Sequence, residues 1–159
     1  MNIRVGFGFD VHKLVENRDL WLGGVRIPFS KGLLGHSDAD VLIHAVCDAL
    51  LGAANLRDIG YHFPDKDPTY RDIDSKILLR ECAQLLNDKG YTIGNIDVTV
   101  CAEQPKLNVY IPAMTEVMAQ AMSINSDQIS IKATTTEHLG FTGRQEGLAA
   151  YAVALVEKI

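Results

Sequence analysis

The stretch GHSDADVLIHAVCDALLG, residues 35–52, decides what kind of fold this chain can make. Val41, Leu42, Ala45, Val46 and Ala49 recur at spacings near the 3.6-residue helical period, and Gly52 ends the run. Ser37 and Asp40 resemble a capping pair, so a helix is expected to begin at about Ser37. The helix reads as a core element, yet Asp40, His44 and Asp48 fall at i, i+4 and i+8 and lay one polar stripe along it. A titratable stripe on an apolar helix calls for partners elsewhere in the chain.

Upstream, IRVGFGF at residues 3–9 alternates and is rich in strand-forming types, which predicts a strand with Asp10 and His12 near its end. LWLGGVRIPF predicts a short hairpin turning at Gly23-Gly24. Downstream, residues 55–72 carry Gly, Pro and Asp punctuation and read as an ordered loop. DSKILLRECAQLLNDKG is an amphipathic helix with Asp74 or Ser75 near its N-cap and Gly90 as its stop. TIGNIDVTVCAE predicts a strand, IPAMTEVMAQAM a helix with Pro112 in its first turn, and QISIKATTTE a strand entering a Thr-rich loop. The closing GLAAYAVALVEKI fits a buried strand and an Ala-rich helix equally well on period alone. The order of elements suggests a two-layer α+β sandwich in a single domain, residues 1–159, a length that buries a substantial core without staples.

Composition narrows the function classes. A formal net charge of -5 argues against a nucleic-acid binder that works by neutralising phosphates, though not against a small phosphorylated substrate. Cys47, Cys82 and Cys101 are scattered, with no C-x-x-C pair, which suits reduced thiols and a cytoplasmic location. No stretch approaches the length of a membrane span.

On a strand, residues two apart point to the same side, so Asp10 and His12 can reach toward one point. Docking the helical stripe against that strand brings His44 to them. Two imidazoles and a carboxylate with an open fourth position suit catalytic Zn, although the donor types overlap with those of Co and Mn. Asp40 or Asp48 would then be the acceptor that orients His44. His36 and Ser37, just before the helix, lie where amide donors and the positive dipole end meet an anion. KATTTEHLGFTGR sets a run of three threonine hydroxyls, a fourth at Thr142 and two glycines at a strand exit, a phosphate-binding pattern that also reads as a plain Thr-rich turn. Glu137 within it can hold a divalent cation that bridges phosphate oxygens. Cys101, His62 and His138 offer no metal-ligand spacing, and no Walker-type loop or dinucleotide fingerprint is present.

Taken together, GFDVH, GGVRIP, GLLGHSDADVLIHAVCDALLGAANLRDIG, FPDKDP, NIDVTVCAEQPK and IKATTTEHLGFTGRQEG resemble the 2-C-methyl-D-erythritol 2,4-cyclodiphosphate synthase family, almost from end to end. The resemblance implies a core order β-α-β-α-β-β with a mixed four-stranded sheet and makes the final segment a strand. It implies a homotrimer with sheets facing the threefold axis and active sites between subunits. Asp10, His12 and His44 would be the Zn ligands, and Glu137 a ligand of a second cation, Mg or Mn. His36 and Thr135 match the family's transition-state stabilisers, and His36 and Ser37 its phosphate-contacting segment. Asp58, Ile59 and Gly60 match the wall around the methylerythritol unit, closed by Phe63, Pro64, Asp65, Lys66 and Asp67. Ala102, Glu103, Gln104, Pro105, Lys106, Leu107 and Asn108 correspond to the cytidine pocket, which Ala133, Thr134, Thr135 and Thr136 continue around the phosphates. Phe141 and Arg144 match residues lining the axis, where relatives can bind an isoprenoid diphosphate. The reaction implied is closure of a cyclic diphosphate with release of CMP. A metal-dependent phosphohydrolase and a non-enzymatic isoprenoid sensor are the rival readings of the same residues.

Overall fold

The structure is a computed structural model and describes residues 2–159. Strand β1 runs Ile3–Glu16, well past the seven residues expected, so Asp10 and His12 sit in mid-strand and not at its tip. The polar pair hid the continuation, because alternation of apolar residues lapses where the strand carries chemistry. Gly6, Gly8, Asp10 and His12 share the face toward helix α1 (Val41–Ala53), while Val5, Phe7, Phe9 and Val11 stand exposed on the other face.

The sheet has five strands, not the four expected, in the order β4-β1-β7-β5-β6. The additional strand, β4 (Lys31–Leu34), pairs antiparallel with Lys13–Glu16 of β1. Four residues are too few to show a period, which is why it escaped the sequence reading. β7 (Gly147–Lys158) lies between β1 and β5 (Tyr91–Cys101), antiparallel to both. β6 (Ile129–Thr134) runs parallel to β5 at the opposite edge and makes the sheet mixed. A separate hairpin of β2 (Leu20–Leu22) and β3 (Val25–Ile27) turns at Gly23-Gly24, whose φ values of 58° and 75° suit a tight two-residue turn.

The final segment is a strand although its alanines suit a helix. Register explains the composition: Gly6 pairs with Ala154, Gly8 with Ala152 and Asp10 with Ala150, so two neighbouring strands form a trough of small side chains. Into it α1 lays its own Ala45, Ala49 and Ala53. A Cβ at Gly8 would lie 1.8 Å from the Ala45 carbonyl oxygen, and one at Gly6 1.9 Å from that of Ala49. Only glycine admits so close a backbone approach.

α1 begins at Val41, four residues later than expected, because Asp40 and not Ser37 is its N-cap; the Asp40 carboxylate accepts from Ile43 N at 3.0 Å. Helix α3 (Ser75–Asp88), capped by Asp74, packs on α1 through Leu78, Leu79, Cys82 and Leu86. Gly90 follows it with φ of 79°, the left-handed stop expected. The 55–72 segment holds a single helical turn, α2 (Ile59–His62), and a 3-10 turn at Pro68–Tyr70. α4 (Ile111–Met122) connects β5 to β6, burying Met114, Met118 and Met122, and a last turn, α5 (Gly140–Gly143), precedes β7. The long elements thus run β1-α1-α3-β5-α4-β6-β7, with two helices in the first helical place of the order expected. Among the described residues, no helix is long and apolar enough to cross a membrane.

Candidate metal centre and nucleotide cleft

The small-residue trough sets the height of α1 above β1, and that height brings His44 onto Asp10 and His12. Asp10 Oδ2 lies 2.9 Å from His12 Nε2 and 3.1 Å from His44 Nδ1, and the two ring nitrogens are 3.2 Å apart. Each residue offers one ligand atom to a common point, all within 4.8 Å of one another. The far nitrogens are occupied: His12 Nδ1 meets the Leu34 carbonyl at 2.8 Å, and His44 Nε2 meets Ser75 Oγ at 3.0 Å and Ser37 Oγ at 3.2 Å. Outward hydrogen bonds of this kind orient imidazoles for a cation. Burial alone would raise the Asp10 carboxyl, but hydrogen bonds and charge from His12 and His44 outweigh it and hold it at about 2. Burial likewise works to lower His12, and its bond to Asp10 overcomes this and raises it. An anionic carboxylate facing two imidazoles is a donor set that fits a first-row divalent ion.

The polar stripe does not supply the orienting acceptor expected from it. Asp40 is fully buried and turned to the hairpin, accepting from Gly23 N at 3.0 Å and Gly24 N at 2.7 Å. Asp48 accepts from Ile59 N at 2.7 Å. The group behind His44 is Ser75, which the sequence shows only as a helix-start residue.

The three ligands open into a cavity of about 210 Å³ that is also lined by His36, Ser37, Ile59, Gly60, Phe63 and Asp65. Gly35, at the head of the 35–52 stretch, completes it together with Tyr70, Ile73 and Leu78, which carry no motif and which sequence reading missed. Asp58, Pro64, Lys66 and Asp67 stand outside the lining; Asp67 caps the 3-10 turn through Thr69 N at 2.9 Å, and its carbonyl bonds His36 Nε2 at 3.2 Å. Arg18, which no motif pointed to, braces the same segment from behind, donating to Leu33 O at 2.7 Å and to Ser37 O at 3.0 Å.

A second cleft, of about 300 Å³, lies where β5 and β6 end side by side. Ala102, Pro105, Lys106, Leu107 and Asn108 form one wall, and Ala133, Thr134 and Thr135 the other. Gln104 precedes Pro105 through a cis peptide bond. Glu103 turns away from the cleft and is buried: its Oε1 accepts from Thr136 N at 3.1 Å and His138 N at 3.0 Å. Those two amides, His138 first, hold its carboxyl below the usual glutamate range. It thereby ties the wall of residues 102–108 to the loop carrying Glu137, which is exposed with φ of 53°. Thr136 Oγ1 is spent on Leu139 O and Thr142 Oγ1. Phe141 is exposed, and Arg144 Nε pairs with Glu146 at 2.7 Å. Tyr151 packs against Phe9 with ring centres 5.1 Å apart and planes tilted by 47°.

The YgbB family model matches residues 3–157. The chain belongs to the YgbB family. Two of its most similar family members are named 2-C-methyl-D-erythritol 2,4-cyclodiphosphate synthase. One, from Bacteroides thetaiotaomicron, is 68% identical over 158 residues, covering 99% of both chains. The other, from Bacteroides fragilis, is 65% identical over 159 residues and covers both chains completely. Among solved YgbB-like structures, the bifunctional IspDF of Campylobacter jejuni superposes with a TM-score of 0.95 at 43% identity; this chain covers 42% of that longer one and is itself covered to 99%. The Plasmodium falciparum IspF complex with CDP gives 0.86 at 35% identity, with 99% of this chain and 98% of that one covered.

Proposed function

We propose that this chain is a metal-dependent cyclase that converts 4-diphosphocytidyl-2-C-methyl-D-erythritol 2-phosphate to 2-C-methyl-D-erythritol 2,4-cyclodiphosphate and CMP. The observation that carries the reading is the convergence of Asp10 Oδ2, His12 Nε2 and His44 Nδ1 at the mouth of a cavity. The family membership and the CDP held by a related structure support the nucleotide part.

Asp10, His12 and His44 would hold Zn, and Glu137 a second ion, Mg or Mn; such cations neutralise and polarise phosphate oxygens that otherwise repel each other. The chain's own residues do the positioning. Ala102, Pro105–Asn108 and Ala133–Thr135 would grip the cytidine and its phosphates, while Ile59, Gly60 and Phe63 would wall the methylerythritol unit. His36 and Ser37 would contact the 2-phosphate, Ser37 through its hydroxyl hydrogen, and Thr135 would donate to nonbridging oxygens at the reacting phosphorus. An oxygen of the 2-phosphate bonds to the β-phosphorus as the bond from that phosphorus to the α–β bridging oxygen breaks, and CMP leaves. The attacking oxygen is already anionic, so no side-chain nucleophile is required; catalysis rests on orientation and charge stabilisation.

The metal cavity, at about 210 Å³, falls below the roughly 300–1,000 Å³ usual for small-molecule pockets, and the cytidine-side cleft, at about 300 Å³, only meets that floor, small for a substrate that joins a nucleotide to a second phosphorylated unit. We therefore place the active site between subunits of a homotrimer, one chain's metal cavity facing its neighbour's nucleotide cleft. The bare sheet face supports this: Val5 and Phe7 are each 63% exposed, beside Phe9, Val11, Tyr151 and Val153, an apolar strip of the kind that marks an interface. Three free cysteines, all buried, fit a cytoplasmic protein.

Incubation with the cytidine-linked substrate, Zn2+ and Mg2+ tests the proposal, with products followed by 31P NMR and chromatography. Equimolar CMP and cyclic diphosphate are expected. Inorganic phosphate would indicate a phosphohydrolase, and binding without turnover a sensor; either would refute the proposal.

A further inference from the structure

Ser75 and Asp38 do not line the metal cavity, yet they meet His44 through its outer nitrogen. Asp38 Oδ1 takes the Ser75 hydroxyl at 2.5 Å and its Oδ2 takes Ser75 N at 2.9 Å; Asp40 N adds a third donor to Oδ1 at 3.2 Å. A carboxylate only accepts, so the single hydrogen of the Ser75 hydroxyl is committed to Asp38. Ser75 Oγ therefore turns only lone pairs toward His44 Nε2, 3.0 Å away, and that nitrogen must carry a hydrogen. His44 Nδ1 is left as the lone-pair nitrogen, and it is the one facing Asp10 and His12.

The same count extends to Ser37. Its Oγ accepts from Ala39 N at 3.1 Å and lies 3.2 Å from the same His44 Nε2. Because Nε2 carries a hydrogen and offers no lone pair, Ser37 cannot donate to it, so the Ser37 hydrogen is free to point into the cavity that Ser37 lines. The geometry points to Asp38 and Ser75 as positioning residues that fix His44 as the Nε2–H tautomer, aiming its Nδ1 lone pair at the metal and freeing the Ser37 hydroxyl hydrogen for a substrate phosphate oxygen. This rests on the metal site of the proposed function and adds to it the two groups that set its proton pattern.

The test uses the full-length protein and reads metal binding directly, by Zn2+ competition against a chromophoric chelator and by the visible absorption of the Co2+ form. Ser75→Ala removes one buried oxygen and leaves Asp74 as the cap of α3. Asp38→Asn keeps the shape; with its amide oxygen accepting from Ser75 N, its NH2 faces Ser75 Oγ, which reverses the chain and puts the hydrogen on Nδ1. Both variants should bind Zn2+ about 10–100-fold more weakly, with an altered Co2+ spectrum. Thermal unfolding of each variant separates this from a packing defect. A variant that melts lower yet binds Zn2+ like the wild type, with an unchanged Co2+ spectrum, overturns the inference alone. Wild-type protein that binds no divalent ion overturns the proposed function as well.

Discussion

The trough beneath α1 yields the sharpest prediction, because one methyl group tests both the fold and the site. In Gly8→Ala the new Cβ starts 1.8 Å from the Ala45 carbonyl oxygen and 2.7 Å from Ala49 N. Ordinary contact begins at 3.4 Å, so the helix must lift by about 1.6 Å, the difference of the two distances. Backbone atoms on both sides leave no flexible side chain to yield. Overpacking of this kind costs about 1–3 kcal/mol, less the fraction of a kilocalorie that alanine recovers from the unfolded chain. At about 2–4 °C per kcal/mol for a domain of this size, the remaining ~0.5–2.5 kcal/mol should lower Tm by roughly 1–10 °C.

His44 is the residue before Ala45 and travels with it, whereas a metal site tolerates ligand displacements of only about 0.2 Å. Zinc affinity should therefore fall at least about tenfold, a loss of about 1.4 kcal/mol. Scanning calorimetry and chelator competition measure the two effects. Gly52→Ala is the internal control. It is exposed on the same helix, its Cβ would meet nothing nearer than the Phe7 carbonyl at 4.0 Å, and it should raise stability by about 0.5–1 kcal/mol with zinc binding intact. A Gly8→Ala protein with unchanged Tm and full zinc affinity would refute the claim that close backbone approach places His44.

Further outcomes follow from the site and the bare sheet face. Asp10→Ala or His44→Ala should lose turnover together with bound zinc; a dead enzyme at full zinc occupancy by mass spectrometry would contradict the ligand assignment. Glu137→Gln should shift the Mg2+ or Mn2+ activation curve to higher concentration with zinc retained, and an unchanged curve would remove Glu137 from that role. Because the folded-state carboxyl of Glu103 is depressed, its hold on Thr136 N and His138 N is complete above the ordinary glutamate range. That hold is lost only as pH falls through the lowered value, so the amide resonances of Thr136 and His138 should titrate in that acidic window, and Glu103→Gln should abolish the titration. Phe7→Glu on the open face should yield monomers by light scattering; an unaltered oligomer would place the interface elsewhere.

What the chain revealed before its fold was known depends on how far each signal travels along the sequence. His44 was legible because helical period ties it to neighbours three and four residues away, and Asp10 and His12 because strand alternation ties them to each other. β7 was ambiguous because its Ala150, Ala152 and Ala154 answer to α1, about 100 residues earlier, and not to local preference. Ser75 and Asp38 read as helix-start and turn residues, which they also are; their second bonds span 31 and 37 positions and leave no local mark. Glu103 fell inside a correctly located segment, yet its carboxylate serves the facing loop 33 and 35 residues on.

The polar stripe shows how fold and chemistry share one element. α1 is buried along nearly its whole length, so each of its polar side chains must find a partner or destabilise the core. Asp40 takes the hairpin amides, His44 faces β1, and Asp48 takes Ile59 N at the start of α2. Hairpin, metal strand and cavity wall are thereby fastened to one rigid helix. The wall at Ile59 and Gly60 and the ligand His44 keep a fixed separation, because any motion of α1 carries both. In the proposed reaction a cation held by His44 would meet a substrate registered against Ile59 and Gly60, which is what catalysis by positioning requires.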